Sequence, residues 1–143
     1  MYRVLLPVDE DEERASRAAA AAANLPCADE AVEVVLLNVF EEFEVADGEW
    51  ESISSEDIWD EHSYPDSVDA VEERLEAAGV SVTRRREHGD PAEEISAVAE
   101  EIDADNVVMG GQRRSPAGKA LFGSVTQSVL LDADRPVTVI LDE

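Results

Sequence analysis

Residues Met109 to Thr126 read MGGQRRSPAGKALFGSVT, and this stretch joins a short apolar run to a helical pattern. The run from Asn106 to Met109 is typical of a buried strand, and the pattern from Val125 to Leu131 predicts a helix. Because the first amides of a helix have no acceptor within it and lie at the positive end of its dipole, such a loop suits an anion. The loop also holds three of the chain's eleven cationic residues, Arg113, Arg114 and Lys119. We therefore interpret the stretch as a phosphate site.

The charge of the chain limits its partners and its setting. Thirty-five acidic residues against eleven basic ones give a formal charge of −24, which would cause strong self-repulsion at low salt. At about 1 M salt the Debye length falls to about 3 Å, so most of this repulsion is screened. Lys119 is the only lysine. We expect a protein of a halophile's cytoplasm, with an acidic mesophilic protein as the alternative. We expect no nucleic acid partner, because the negative electrostatic field of the chain would repel the phosphate backbone.

Length and composition favour one domain. A chain of 143 residues with 44% hydrophobic residues is long enough to bury a core, and we expect a single domain over residues 1–143. The only cysteine, Cys27, excludes an internal disulfide and fits a reducing cytoplasm. No apolar run approaches the roughly 20 residues needed to span a bilayer, and the start lacks a signal peptide's length and cleavage site. We expect no membrane partner.

Strand and helix patterns alternate along the chain. The predicted strands are Val4–Val8, Val32–Val39, Val80–Glu87, Asn106–Met109 and Val137–Leu141. The predicted helices run from Glu12 to Asn24, from Ser67 to Ala78, from Asp90 onward and from Ser124 onward. Alternation of this kind predicts parallel strands joined by right-handed crossovers. An open sheet of five such strands binds ligands at the carboxyl ends of its strands, where Asp9, Val39 and Gly110 would meet.

Several predictions concern single elements. Asp9 or Asp11 is expected to cap the first helix, and Asp90 the third, while the run from Ser124 to Gln127 is a capping box. Arg84, Arg85 and Arg86 mark the third strand as an edge strand. Residues 40–65 form a long acidic loop without a clear period, and such loops are usually functional or mobile. The loop contains Trp50 and Trp59, which either pack it against the rest of the domain or form a lid over a ligand.

Other well-known sites fit the sequence poorly. The loop is not a Walker A motif, because Arg113 stands at the first glycine and Ala120 replaces the magnesium-binding hydroxyl. The loop is not a dinucleotide-binding fingerprint either, because that motif would follow the first strand. The acidic run after Val8 invites comparison with a phospho-accepting receiver domain, but the third strand ends in Arg-Arg-Arg-Glu rather than in an aspartate. His62 and His88 lack metal-ligand spacing and are expected at the surface, and Cys27 is expected to be inert.

The spacing of Gly110 and Gly123-Ser124 resembles the nucleotide loop of the universal stress protein family, whose pattern is glycine, two residues, glycine, nine residues, glycine, then serine or threonine. Three further segments are similar to that family: Pro7-Val8-Asp9, Gly89-Asp90-Pro91-Ala92 and Pro136-Val137. The resemblance covers essentially the whole chain. It implies a Rossmann-like α/β fold of the adenine nucleotide alpha hydrolase type, an open five-stranded parallel sheet of order 3-2-1-4-5 with helices on both faces. It also implies a homodimer through Val137 to Leu141.

The resemblance also implies a ligand, ATP or a related adenine nucleotide, with or without Mg²⁺. Carried over residue by residue, the binding set is Pro7, Val8, Asp9, Val39, Met109, Gly110, Gly111, Arg113, Gly123, Ser124, Val125 and Thr126. In this set Asp9 and Val39 would contact adenine or ribose, and the glycines and the start of the last helix would hold the phosphates.

One position departs from the family pattern, because Arg113 replaces the second motif glycine. Its guanidinium could bind phosphate in bidentate fashion, or its side chain could block the approach of the backbone to phosphate. Two hypotheses follow, a nucleotide-binding regulator of the stress response and a nucleotide-free dimeric interaction module. Ser124 lacks a nearby base, and the chain shows no acidic metal cage. We therefore predict no catalytic residues and no metal site, so that any ATP hydrolysis is slow and incidental.

Overall fold

A computed structural model of the chain describes residues 1–9, 11–40, 64–111 and 123–141. Its five strands are β1 (Tyr2–Pro7), β2 (Val32–Phe40), β3 (Ser81–His88), β4 (Asn106–Gly111) and β5 (Val137–Leu141). They form one sheet in the order β3-β2-β1-β4-β5, and every ladder is parallel. The predicted fold class and strand order are therefore confirmed. The order reverses direction at β1, which places the topological switch point at its carboxyl end.

Five helices connect these strands in the described part of the chain. They are α1 (Glu12–Ala23), α2 (Ala28–Ala31), α3 (Asp66–Ala77), α4 (Pro91–Glu101) and α5 (Ser124–Asp132). The four long helices agree with the prediction to within a few residues. Helix α2 was not predicted, because four residues are too few to show a helical period. The chain enters it through Cys27, which has a left-handed φ of 57° and is exposed.

Two apolar cores lie on opposite faces of the sheet. Helices α1 and α3 cover one face, where Ala18, Ala19 and Ala22 of α1 pack against β1 and β2. These alanines are at most 1% exposed, and their small side chains let the helix approach the strands closely. Helices α4 and α5 cover the other face, where Ile95 and Val129 pack among residues of β1, β2 and β4. Strands buried on both faces explain the continuous apolar runs of the sequence.

Two of the predicted helix caps are confirmed and one is wrong. Asp11, rather than Asp9, caps α1 by accepting a hydrogen bond from the Arg14 amide at 3.0 Å. Asp90 caps α4 and accepts from the Glu93 amide at 3.1 Å. The capping box that begins at Ser124 is wrong, since Ser124 is the first helical residue and Gly123 is the N-cap. Gly123 has an extended ψ of 158°, so the helix begins one residue earlier than the box requires.

Strand β3 lies at one edge of the sheet, as predicted. Two of its arginines pair with neighbouring acids. Arg84 pairs with Glu72 and Asp69 of α3, while Arg85 pairs with Glu87 and with Glu101 of α4. The hydrogen bond donated to Glu101 raises the pKa of Arg85, outweighing the lowering that burial causes.

Some predictions fall outside the described residues. These concern residues 41–63 of the acidic loop, with its two tryptophans and His62, and the cationic residues Arg113, Arg114 and Lys119. His88, which was expected at the surface, is half-buried, and its ring stacks on Phe40. Among the described helices, none is both long enough and apolar enough to cross a membrane.

Candidate functional site

A cleft of about 1130 Å³ opens at the carboxyl ends of β1, β2 and β4. The first turns of α1 and α5 form part of its wall. It lies beside the switch point of the sheet, where α/β proteins of this topology bind ligands. Ten of the predicted binding residues line it: Pro7, Val8, Asp9, Val39, Met109, Gly110, Gly123, Ser124, Val125 and Thr126. Gly111 is buried at the end of β4 and is not among the lining residues, and Arg113 lies outside the described residues.

The backbone after β1 is held from two neighbouring elements. The Val8 amide donates to the Leu37 carbonyl at 2.8 Å, and the Val8 carbonyl accepts from Nδ2 of Asn38 at 3.0 Å. On the other side, the Ser67 hydroxyl of α3 donates to the Asp9 carbonyl. Asn38 and Ser67 are both buried, at 7% and 2% exposure. They fix the position from which the Asp9 carboxylate enters the cleft.

A hydrogen bond joins the end of β4 to the start of α5. The buried Thr126 hydroxyl donates to the Gly110 carbonyl at 3.1 Å. The Gln127 amide donates to the Gly123 carbonyl at 2.9 Å, so the amides of residues 124–126 precede the first intrahelical bond. A Cβ built on Gly123 meets no atom of the described residues within 4 Å, so on their side the space beside this helix start is open. The arrangement offers amide donors and the positive end of a helix dipole to an anion.

Gly110 contacts the side chain of Arg14, which was not among the residues predicted from the sequence. A Cβ built on Gly110 would lie 2.0 Å from Cγ and 2.7 Å from Cδ of Arg14, because the arginine stem packs directly on the glycine. The guanidinium of Arg14 lies 3.1 Å from Oδ2 of Asp9 and 3.5 Å from Oδ2 of Asp11. These ion pairs are partly exposed, so they contribute little to folding stability. Their significance is their position within the cleft.

A stack of rings and a guanidinium borders the cleft beside β2 and β3. The Arg86 guanidinium carbon lies 5.7 Å from the Phe40 ring centroid and 5.5 Å from that of Tyr64. Phe40 stacks in turn on His88 at 5.4 Å with an interplanar angle of 11°. The Phe40 carbonyl accepts from the Gly89 amide at 3.0 Å, which holds the end of β2 to the turn after β3. This side of the cleft thus presents flat surfaces, whereas the α5 side presents amides.

The described side chains of the cleft carry more acid than base. Four lining residues are acidic, namely Asp9, Asp11, Glu12 and Asp66. Two are arginines, Arg14 and Arg86. In the described part of the chain there is no group of three or more histidine, cysteine or acidic residues that could hold a metal ion. In the described residues, the Asp9 carboxylate can therefore accept hydrogen bonds from hydroxyl groups, and the amides at the start of α5 can donate hydrogen bonds to an anion. These residues include no metal-ligand cluster.

Comparison with known proteins gives a consistent result. The model of the universal stress protein family matches residues 1–140. Universal stress protein MJ0531 of Methanocaldococcus jannaschii is 34% identical over 95 residues, which cover 66% of this chain and 54% of that protein. The chain spans about half the length of the first curated relatives it matches. The solved structure of the protein MJ0577 has 27% identity and a TM-score of 0.79, and the match covers 99% of this chain and 96% of that one.

Two solved universal stress proteins of the same fold contain an adenine nucleotide. One, from Archaeoglobus fulgidus, is a complex with dAMP, with 22% identity, a TM-score of 0.71 and 98% of each chain covered. The other is a complex with cAMP, with 19% identity, a TM-score of 0.69 and coverage of 99% of this chain and 98% of that chain. At this identity the likeness concerns the fold alone.

Proposed function

Because this chain belongs to the universal stress protein family, we propose that its cleft binds ATP or a related adenine nucleotide and that the protein acts as a dimeric regulator of the stress response. The observation that carries the proposal is the composition of the cleft. Asp9 and Val39 lie at the ends of adjacent strands, and the open helix start beside Gly123 borders the same cleft. Two solved universal stress proteins of the same fold are complexes with dAMP and with cAMP.

The proposed roles follow from the chemistry of each group. The Asp9 carboxylate would accept hydrogen bonds from the ribose hydroxyls, with its backbone held by Asn38 and Ser67. Val39 and the backbone at Val8 would lie against the base. The amides of residues 124–126 would donate to phosphate oxygens, aided by the helix dipole. Mg²⁺ bound with the nucleotide would be coordinated mainly by phosphate and water oxygens.

A nucleotide-free interaction module of the same fold is the second candidate function. Two observations favour it. Arg113 stands where the family pattern has its second glycine, and the Arg14 stem covers the Gly110 backbone on the side of α1. Both side chains would then occupy space that a ligand needs.

Nucleotide analysis of the purified protein separates the two candidates. The protein is purified in molar salt and denatured, and the released small molecules are separated by chromatography. Calorimetric titration of the protein with ATP in the same salt is the complementary measurement. We expect an adenine nucleotide in the first experiment or saturable heat in the second. If the chromatogram contains no nucleotide and the titration shows no heat, nucleotide binding is not the function.

The proposed dimer uses the other edge of the sheet. Strand β5 lies there and pairs with β4 alone among the described strands, and an unpaired edge strand tends to recruit another strand. We propose that Val137 to Leu141 pairs with its twin across a two-fold axis. Light scattering in molar salt is expected to give twice the chain mass of 15.6 kDa. A monomeric mass would contradict the dimer and leave nucleotide binding untouched.

The setting of the protein is also a proposal. The net charge of −24 and the single lysine support a cytoplasm rich in salt, where a short Debye length screens the repulsion between acids. In this setting we propose that the bound nucleotide, rather than its hydrolysis, carries the signal. The steady-state rate of ATP hydrolysis is accordingly expected to be very low.

A further inference from the structure

The side chain of Arg14 connects the start of α1 with the end of β4. Its stem packs on Gly110, and its guanidinium turns toward Asp9 and Asp11 at 3.1 Å and 3.5 Å. The side chain is 31% exposed, so one part of it is covered by the protein and another part faces the cleft. Of the two arginines that line the cleft in the described residues, Arg14 is the one paired with Asp9.

Both carboxylate oxygens of Asp9 already accept a hydrogen bond. Oδ1 accepts from the Asp11 amide at 2.9 Å, and Oδ2 accepts from Nη1 of Arg14 at 3.1 Å. A ribose hydroxyl that approached Oδ2 of Asp9 would share this oxygen with the guanidinium or displace it. A displaced guanidinium would keep only its longer contact with Asp11 at 3.5 Å, so a second anionic acceptor would stabilise it.

The phosphate of a nucleotide can supply that acceptor. Arg14 contacts Gly110, and the carbonyl of Gly110 accepts from Thr126 in the first turn of α5. The Arg14 stem thus lies against the end of β4, which is bonded to the helix start at which the phosphates are proposed to bind. The remaining described charges nearby are mostly acidic, so Arg14 offsets the repulsion that an entering phosphate would meet. An arginine presents a planar set of donors that matches phosphate oxygens.

We propose that Arg14 is a specificity residue that makes the cleft select phosphorylated nucleosides over unphosphorylated ones. It would exchange its ion pair with Asp9 for one with the phosphate nearest the ribose, which frees Oδ2 of Asp9 for a ribose hydroxyl. A ligand that carries a hydroxyl and a phosphate together replaces the lost contact of both charged groups. Adenosine would compete with Arg14 for Asp9 and return no partner to it. The inference rests on the proposed nucleotide binding and names the ligand class more narrowly.

Titration calorimetry with adenosine, AMP and ATP in molar salt tests this selection. Arg14→Gln keeps much of the stem and removes the charge, while Arg14→Lys keeps the charge and removes the planar fork. Arg17→Gln is the matched control, because Arg17 lies one turn further along α1, pairs with Glu13 at 3.3 Å and is not a lining residue. Thermal unfolding of each variant verifies that it is folded.

We expect the wild type to bind AMP more tightly than adenosine. Arg14→Gln should weaken AMP and ATP by about tenfold, as for a lost charge-assisted hydrogen bond, and leave adenosine unchanged or tighter. Arg14→Lys should recover part of the loss, and Arg17→Gln should match the wild type. If Arg14→Gln binds AMP as tightly as the wild type, or weakens adenosine equally, Arg14 does not select phosphate. If the wild type binds none of the three ligands, the proposed function fails and the selection with it.

Discussion

Replacing Gly110 by alanine tests whether Arg14 packs on the end of β4 as described. The φ of Gly110 lies outside the left-handed region, so the backbone itself accepts alanine. The obstacle is Arg14, whose Cγ, Cδ and Cβ would lie 2.0, 2.7 and 3.4 Å from the new methyl group. Contacts this short force the arginine stem away from the strand. In an Arg14→Ala background, the two closer atoms are absent.

The expected energies follow from these contacts. In the wild-type background, Gly110→Ala should lower the free energy of unfolding by about 1–3 kcal/mol, the usual effect of overpacking. The displaced ion pairs of Arg14 add little, because they are partly exposed. In the Arg14→Ala background the same substitution should be neutral or stabilise by about 0.4–1 kcal/mol, since alanine restricts the unfolded chain more than glycine does. The coupling between the two positions is therefore about 2 kcal/mol.

Urea denaturation of the wild type, both single variants and the double variant measures this coupling. All four are unfolded in the same molar salt, and equal slopes with denaturant show that the folded and unfolded states remain comparable. A change of the same size for Gly110→Ala in both backgrounds would refute the packing of Arg14 on Gly110. It would also remove the structural basis for phosphate selection by Arg14.

Three further results are expected. Thr126→Val should lower the free energy of unfolding by about 1 kcal/mol, because it removes the hydrogen bond to the Gly110 carbonyl; Thr126→Ser keeps the hydroxyl, and an equal loss in this variant would point to packing instead. Raising the salt from about 0.1 M to 1 M should increase the thermal midpoint as the Debye length falls from about 10 Å to 3 Å; a flat response would mean that repulsion among the acids is unimportant. Gly123→Val should abolish nucleotide binding while the protein stays folded, because the side chain fills the open space beside α5; unchanged affinity in calorimetry would remove this space from the mechanism.

The order of the elements could be predicted from the sequence because the relevant signals are local. Apolar runs, capping residues and glycines lie within each element, and alternation of strands and helices restricts the topology to few choices. The error at the start of α5 shows the limit of local signals. Both Gly123 and Ser124 are acceptable N-cap residues, and the choice between them depends on the backbone conformation at Gly123.

The contacts that shape the cleft could not be predicted in the same way, since they join distant residues. Asn38 and Ser67 bond to the segment after β1 across 30 and 58 positions of the chain. Asn38 stands out in the sequence as a polar residue within the apolar run of β2, but the sequence does not show that its partner is the Val8 carbonyl. Gly110 was noticed for the spacing of its motif. That its missing side chain accommodates Arg14 required the packing of α1 on β4.

The bond between Thr126 and Gly110 has a consequence for how a bound ligand could be sensed. Gly110 is paired in the sheet with Ile140 of β5, the outermost strand. A ligand at the start of α5 is therefore separated from the outer strand by one hydrogen bond and one step of a ladder. If the cleft fills and the first turn of α5 shifts, the strand proposed to recruit the second subunit is the next element to respond. Occupancy and assembly would then report on each other, as reciprocal coupling between two sites requires.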